Sequence, residues 1–296
     1  MSLTKKIDFA VVFSVKNANP NGDPLNGNRP RTTYDGIGEV TDVCIKRKIR
    51  NRLMENGFPI FVQSDDNKVD GYPNLKSRAE EVLSTEKAIE NKTTKACARW
   101  FDVRAFGQVF PFKANGKSNK KGSDDEGASD DHATSFGIRG PVSVQPAFSV
   151  SSILNSVTSN QITKSTSLEG DGINRQSDQM GMQHRVDRGI YVFYGSMNPQ
   201  LSVKTGFSDD DAEAIKSVLP RLFENDASSA RPEGSMEVLK VIWWQHNCSS
   251  GQCSSAKVHR SLIVNDDVDN PISFQPGKGT DDAAENWPTP IVIDGA

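Results

Sequence analysis

The sequence predicts an α+β fold of ferredoxin-like type, βαββαβ, in which an antiparallel four-stranded sheet carries two helices on one face. Three observations predict it. Four stretches have strand character, at Ile7 to Val15, Gly137 to Val150, Ile190 to Tyr194 and Met236 to Trp244. Two have helical spacing, at Thr41 to Glu55 and Ser208 to Phe223. With the long polar insertions set aside, their order is strand, helix, strand, strand, helix, strand.

Each element has a local cause. The first strand puts Ile7, Phe9, Val11, Phe13 and Val15 on one face and Ala10 and Val12 on the other, as a central strand buried on both sides would. The loop from Asn17 to Arg31 is turn-forming: Gly22 and Gly27 permit positive φ, and the prolines stiffen it. In the helix that follows, Ile45, Ile49 and Leu53 stack on one side, Lys46, Arg47 and Arg50 gather opposite, and Asn56-Gly57 is the stop. Residues 58 to 96 form a polar insertion with a helix near Leu75 to Ser84, and Thr94 to Val109 is a short packing helix through Ala98, Phe101, Ala105 and Phe106. Lys113 to Thr134 has almost nothing to bury and reads as a mobile loop. Strand character returns at Ile138, Val142, Val144, Phe148 and Val150, with Gly140-Pro141 marking a bulge or edge. Ser151 to Arg188 is too long for a structureless loop in a compact domain and predicts an extended hairpin that leaves the body. Ser208 caps the acidic turn Asp209-Asp210-Asp211 of the second helix, which buries Ala212, Ile215, Leu219, Leu222 and Phe223 and kinks at Pro220. After Val264 the tail is acidic, rich in Pro and Gly, and shows little periodicity.

A chain of 296 residues can bury a sizeable core, and 35% hydrophobic residues leave room for polar insertions. No run approaches the roughly 20 apolar residues of a membrane span, and Met1 to Lys6 lead straight into a strand without a signal-peptide core. The expected location is cytoplasmic, with Cys44, Cys97, Cys248 and Cys253 reduced. The set His246, Cys248, Cys253 and His259 lacks the spacing of paired zinc knuckles, so no metal and no other cofactor is expected. Pro111 stands where a phosphate loop ending in Gly116-Lys117-Ser118 would need glycine.

The net charge is -3, but its distribution is uneven. Basic residues crowd at 29 to 52 and again at Lys113, Lys117, Lys120 and Lys121, while acids crowd at 124 to 131, 209 to 213 and 265 to 285. Exposed charges farther apart than about 8–10 Å are largely screened, so local sign decides what binds. On the helix no acid follows Asp42 until Glu55, which leaves its cations without partners on their own helix. Asn17, Asn19, Asn21, Arg29, Arg31, Lys46, Arg47 and Arg50 are donors of the kind that grip a sugar-phosphate backbone and carry little base information. The residues therefore predict sequence-tolerant binding of single-stranded RNA.

The run Asn-Pro-Asn-Gly-Asp-Pro-Leu-Asn-Gly-Asn-Arg-Pro-Arg (Asn19 to Arg31), followed by Val-Thr-Asp-Val-Cys-Ile-Lys-Arg-Lys-Ile-Arg (Val40 to Arg50), resembles the repeated backbone subunit of the type I-C CRISPR Cascade complex, in the RAMP superfamily. Further matches lie at Arg99 to Gly107, Ile138 to Val142, His184 to Asp187, Glu224 to Asp226 and Ala230 to Met236, so the resemblance spans Ile7 to about Val264. It implies an RNA-recognition-motif-like palm over about 1–57, 94–112, 135–157 and 186–264, with finger and web insertions at about 58–93 and 113–134. A thumb hairpin is implied at about 158–188, and an acidic extension remains at 265–296. It further implies that copies of the chain stack along one CRISPR RNA (crRNA) and hold it for pairing with target DNA. The partners would be an end-capping crRNA-processing subunit, a large subunit and small subunits, with no membrane. On matching positions Lys46 and Arg50 would hold guide phosphates, with Thr41, Arg47, Arg139, His184 and Arg185 beside them. Met180 or Met182 on the thumb would wedge between bases.

No catalytic motif is present, and the chain is expected not to be an enzyme. The alternative is a metal-dependent RNA endonuclease of the type III backbone kind, using Asp23 or Asp35 on the loop.

Overall fold

The computed structural model describes residues 2–86, 88–111, 135–154, 159–163, 179–281 and 284–296. In chain order the strands are β1 (Ile7–Ala18), β2 (Gly22–Asp23), β3 (Arg29–Pro30), β4 (Ile37–Val40), β5 (Gly107–Phe110), β6 (Phe136–Arg139), β7 (Val142–Val144), β8 (Ala147–Ser152), β9 (Ser159–Thr163), β10 (Gln179–Gln183), β11 (Val186–Met197), β12 (Met236–Gln245), β13 (Leu262–Val264), β14 (Ile272–Phe274) and β15 (Pro290–Asp294). The α-helices are α1 (Asp42–Glu55), α2 (Leu75–Leu83), α3 (Ile89–Arg99), α4 (Phe101–Phe106), α5 (Pro199–Thr205), α6 (Asp209–Val218) and α7 (Ser255–Ser261).

The architecture is mixed α/β around a seven-stranded sheet ordered β15-β12-β1-β11-β8-β4, with β7 also paired to β11. β1 lies inside it, antiparallel to β11 from Ile7↔Met197 to Ala18↔Val186 and to β12 from Ile7↔Gln245 to Val15↔Met236. A strand paired on both edges and covered on both faces must be apolar almost throughout, which is why Ile7 to Phe13 is broken only by Asp8. Across the β1–β11 pair, Phe9 faces Gly195, and a Cβ there would stand 2.2 Å from the Phe9 ring. The missing side chain gives Phe9 room to stack on Trp243 at 5.7 Å.

Two layers cover the sheet. On one face Phe9, Val11, Phe13 and Val15 pack with Ile45, Ile49 and Leu53 of α1 and Ala212, Ile215 and Val218 of α6. On the other, Ala10, Val12, Ile190, Ile242 and Trp244 lie under Val258 of α7 and Leu262. A third core joins Phe61, Leu83, Cys97, Trp100, Phe110, Phe136 and Ile138, so the region expected to be a polar insertion carries its own buried cluster. α4 joins the two: Phe101 and Ala105 belong to the main core, Val103 to the third.

Other expectations need correction. The helix at 94–109 is two helices meeting at Trp100, whose backbone is extended (φ -117°, ψ 124°), and Gly107 at φ 80° then turns the chain into β5. Gly137 to Val150 contains three short strands instead of one. Pro220 falls in a 3-10 turn, Leu219–Arg221, that closes α6, and Ser208 and Asp211 form a capping box at its start. The tail is part of the fold: β15 pairs with β12 from Lys240↔Asp294 to Trp244↔Pro290, and Trp287 packs against the second layer. Short apolar pieces such as Pro290 to Val292 give no periodicity, yet they complete a sheet edge.

β9 pairs antiparallel with β10, Gln179↔Thr163 to Gln183↔Ser159, as a ribbon apart from the main sheet. Residues 164–178, the Met180 side chain and the segment bearing Lys113, Lys117, Lys120 and Lys121 lie outside the described residues. No helix among the described residues is long and apolar enough to cross a membrane.

Candidate nucleic-acid interface

The asparagine loop is held by its own side chains. Asn19 Nδ2 donates to the Asn28 carbonyl at 2.7 Å, and Asn21 Oδ1 accepts from both the amide and the hydroxyl of Thr41 at 2.9 Å. Thr41 caps α1, its Oγ1 accepting from the Cys44 amide at 3.3 Å. The loop is thereby clamped to the first turn of the helix. Gly27 takes the positive φ expected of it (59°), but Gly22 is extended in β2, and its role is close approach, since a Cβ there would lie 2.7 Å from Asn28 Oδ1.

Four segments distant in sequence meet here. The β1–β11 register ends with Ala18 beside Val186, so the chain entering the asparagine loop and the chain leaving the 184–185 segment start from one rung of the sheet. The Asn19 amide donates to the Ala230 carbonyl at 2.8 Å, and Gln183 Nε2 donates to the Ser229 carbonyl at 2.9 Å. Lys48 of α1 pairs with Asp226, which Arg231 also reaches at 3.2 Å. Cys44 sits among Lys48, Arg231, Arg31 and Asp226, and burial pushes its thiol up, keeping it neutral beside these cations. Asn17, Asn28 and Asn225 are the non-glycine residues at positive φ among the described residues, and all three lie in these segments. Such conformations persist only where surrounding contacts fix them.

Three of the ten buried polar atoms without a hydrogen-bond partner among the described residues lie here. Asn19 and His184 are each 6% exposed, yet among the described residues Asn19 Oδ1 and His184 Nδ1 have no hydrogen-bond partner, and neither has Arg31 Nε. Native proteins rarely leave buried polar atoms unpaired.

The expected residues divide into groups. Asn17 and Arg29 are exposed, with no side-chain partner among the described residues. Arg31 is at the same place, its Nη2 3.3 Å from Asp23. Arg185 is half exposed and pairs with Asp187 at 3.1 Å. Met182 is 70% exposed at the base of the ribbon. Arg139 is exposed on β6, in the separate β5–β6 ribbon, and no contact among these segments reaches it. Arg47 donates to the Val62 carbonyl at 2.8 Å, and burial, with Arg50 nearby, lowers its pKa.

The expectation of unpaired cations on α1 is wrong. Lys46 pairs with Asp42 at 2.9 Å, because Asp42 is itself the i−4 position. Arg50 turns inward: its Nε donates at 2.9 Å to Asp102, which is 1% exposed, and its guanidinium lies 5.1 Å from the Phe106 ring centroid. Asp102 also accepts from the amides of Phe61 and Val62, so Arg50 completes a buried junction between α1 and the third core. Asn19 and Asn21 are likewise loop clamps before they are surface donors. Lys48 and Arg231 were missed as members of the site. Lys48 shares the buried side of α1 with Ile45 and Ile49, where a helical wheel expects core.

Asp23 caps the 3-10 turn at Pro24–Asn26 and pairs with Arg31, so its carboxylate is already engaged. The histidines at 246 and 259 serve Asp8, a carboxylate with no exposure. His246 Nε2 stands 2.9 Å from Asp8 Oδ2 while its Nδ1 accepts from the Gln252 amide at 2.9 Å, and His259 Nε2 lies 3.6 Å from Oδ1. Burial pushes Asp8 upward, but the contacts to His246, His259 and Ser255 and the charge of Lys6 outweigh it and hold the carboxyl well below its usual range. Cys248 is exposed and takes no part in this cluster.

Among the solved structures the chain resembles are two described as a CRISPR RNA-guided surveillance complex. One, in a pre-nicking state, aligns at TM-score 0.44 with 14% identity, over 88% of this chain and 82% of that one. The other aligns at TM-score 0.36 with 14% identity, over 80% and 68%. A CRISPR-associated protein Cas7 of Haloferax volcanii is 28% identical over 251 residues, covering 81% of this chain and 71% of the relative. The profile of CRISPR-associated protein Cas7 matches residues 5–282, well past the Val264 limit expected from the motifs. The chain belongs to the Cas7 family of CRISPR-associated proteins.

Proposed function

We propose that this chain is the repeated backbone subunit of a CRISPR surveillance complex of the type I-C Cascade kind. It works without catalysis in the cytoplasm. Copies oligomerise along crRNA, grip its backbone with little regard to sequence, and present it for pairing with target DNA. End-capping, large and small subunits complete the assembly. The reading is supported by family membership and by one observation above all: the loop at 17–31, α1, the 184–187 segment and the 224–231 loop meet at one end of the sheet. These are the same segments whose motifs resemble the type I-C subunit.

In this reading the palm is ferredoxin-like, with β12, β1, β11 and β8 as its four strands in that spatial order. Residues 58–93 and 113–134 are finger and web, 158–188 is the thumb, and Met180 or Met182 is its wedge. Arg29, Arg31, Lys46, Arg47, Arg185 and Arg231 face guide phosphates, with Asn17 and Thr41 beside them and Arg139 as an outlying contact, while the buried Lys48 anchors Asp226 behind them. Arg50 is reassigned to the support of α1. Phosphate contacts of this kind position the strand without reading bases.

The test is assembly on guides of two lengths, imaged as particles. A backbone that follows its RNA lengthens in proportion. Particles of one size on both guides would refute the reading.

A further inference from the structure

Resting on the RNA reading above, the contacts around Arg231 fix where that cation can point. Its backbone closes a tight turn: the Arg231 amide donates to the Ser228 carbonyl at 3.0 Å and to Ser228 Oγ at 3.2 Å, and the Ser228 amide donates back at 2.8 Å. The turn is tied to the asparagine loop at Ala230 and to β10 at Ser229. The side chain is held by one edge. Arg231 Nε donates to Asp226 Oδ2 at 3.2 Å, and Lys48 Nζ donates to the same oxygen from the buried side of α1. Nη1 and Nη2 make no hydrogen bond among the described residues and neither is buried, so in a side chain that is 28% exposed these donors open to solvent.

Charge and shape divide among the three groups. Lys48 and Asp226 cancel, so the net positive charge of the cluster sits on Arg231. A guanidinium can present a phosphate with its side edge, which uses Nε, or with its Nη1–Nη2 end. A carboxylate on the end would block a strand, whereas one on Nε leaves the end open and sets its direction. We propose that Asp226 is a positioning residue: anchored by Lys48, it holds Arg231 by Nε so that the Nη1–Nη2 end meets a phosphate of the bound strand. Fixing this long side chain beforehand spares the entropy of ordering it on binding.

The test measures affinity of the full chain for one mixed-sequence single-stranded RNA. Arg231→Ala should weaken binding about tenfold, the effect of losing one charge-assisted contact. Lys48→Met combined with Asp226→Ala removes one charge of each sign and leaves no buried charge unpaired, so this double variant should stay folded, as its melting curve will show. It should nevertheless bind about three- to tenfold more weakly, and in that background Arg231→Ala should cost less than about twofold. A carboxylate that only supports the fold, or only screens Arg231, would leave the folded double variant with the parent's affinity or better. That result overturns the inference, as does an Arg231→Ala penalty equal in both backgrounds. If the double variant does not fold, Arg231→Lys decides: it keeps the charge without the fork and should bind at least about threefold more weakly, and parental affinity overturns the inference. A parent that binds RNA and loses nothing in Arg231→Ala removes the positioning role and leaves the RNA reading standing. A parent that binds no RNA removes both.

Discussion

In the variant Arg50→Ala, Asp102 loses the guanidinium that holds it at 2.9 Å and keeps only the amides of Phe61 and Val62. Leaving a buried ion-pair member uncompensated costs about 3–5 kcal/mol, and the two remaining amides place this case at the lower end, about 3 kcal/mol. For chains of this class each kcal/mol moves the melting midpoint by about 2–4 °C, so the variant should melt about 6–12 °C lower. Lys46→Ala is the contrast. Its i,i+4 pair with Asp42 is part exposed, 24% and 35%, and such pairs contribute about 0.3–0.5 kcal/mol, a shift of about 1–2 °C. The assay is a melting curve for each variant together with RNA affinity measured well below both midpoints. Arg50→Ala should lose stability and keep most of its affinity; Lys46→Ala should do the reverse. An Arg50→Ala chain that melts with the parent and fails to bind RNA would return Arg50 to the phosphates and refute the buried junction.

Three further outcomes follow from the geometry. Arg231→Ala, which removes a partly exposed member of the Asp226 cluster, should weaken RNA binding for every guide sequence and make the slope of log affinity against log salt shallower by about 0.7, checked by titration at several salt concentrations. Asp8 has a folded pKa below its unfolded value, so its contribution is full above the unfolded pKa of about 3.9 and is lost as pH falls toward the folded one. Acid unfolding of the parent should therefore steepen below about pH 4, while Asp8→Ala should be less stable at pH 7 by about 3–5 kcal/mol and lack that steepening. Gly195→Ala drives a methyl into the Phe9 ring and should cost about 1–3 kcal/mol in urea unfolding, with RNA affinity unchanged in the folded chain.

The elements with strong periodicity were legible in the sequence. β1, α1, α6, β11 and β12 lie where alternation or helical spacing predicts them, because each buries a full face and the chemistry of burial repeats along it. The asparagine loop was legible as a loop, but its chemistry was not. Which side chain clamps and which stays free depends on Thr41 and Ala230, and nothing local reveals those partners. Arg50 shows the same limit. Its counter-charge, Asp102, lies 52 residues away, inside a segment that reads as a packing helix. Lys46 is different, since Asp42 was in view at i−4 and the pair could have been read directly. Lys48 could not: a lysine on the buried side of a helix is intelligible only when Asp226, 178 residues on, is known to meet it. β15 escaped for a third reason. Its strand identity comes from an available edge of β12, and its own composition says little.

The pairing of the cations sets how the site should respond to salt. Arg29, Arg31, Lys46, Arg47, Lys48, Arg185 and Arg231 supply seven positive charges, and Asp23, Asp42, Asp187 and Asp226, each in contact with one or two of them, return four negative ones. A strand entering the site meets a net of three. Single-stranded RNA gives a slope of about -0.7 for each phosphate neutralised, so the free chain should show about -2, where seven unopposed cations would give about -5. Asp187→Asn removes a carboxylate that is 56% exposed and supports no core, and it should steepen the slope by about 0.7 while tightening binding. The measurement is affinity of the full chain for one mixed-sequence RNA across a salt series, before and after that substitution. A parent slope near -5, or an Asp187→Asn chain that binds no more tightly, would mean that the carboxylates swing away when RNA arrives and that the pairs belong to the free protein alone. A slope near -2 means that each copy holds its RNA weakly by design of charge, and that a stable filament must draw the rest of its free energy from contacts between neighbouring copies.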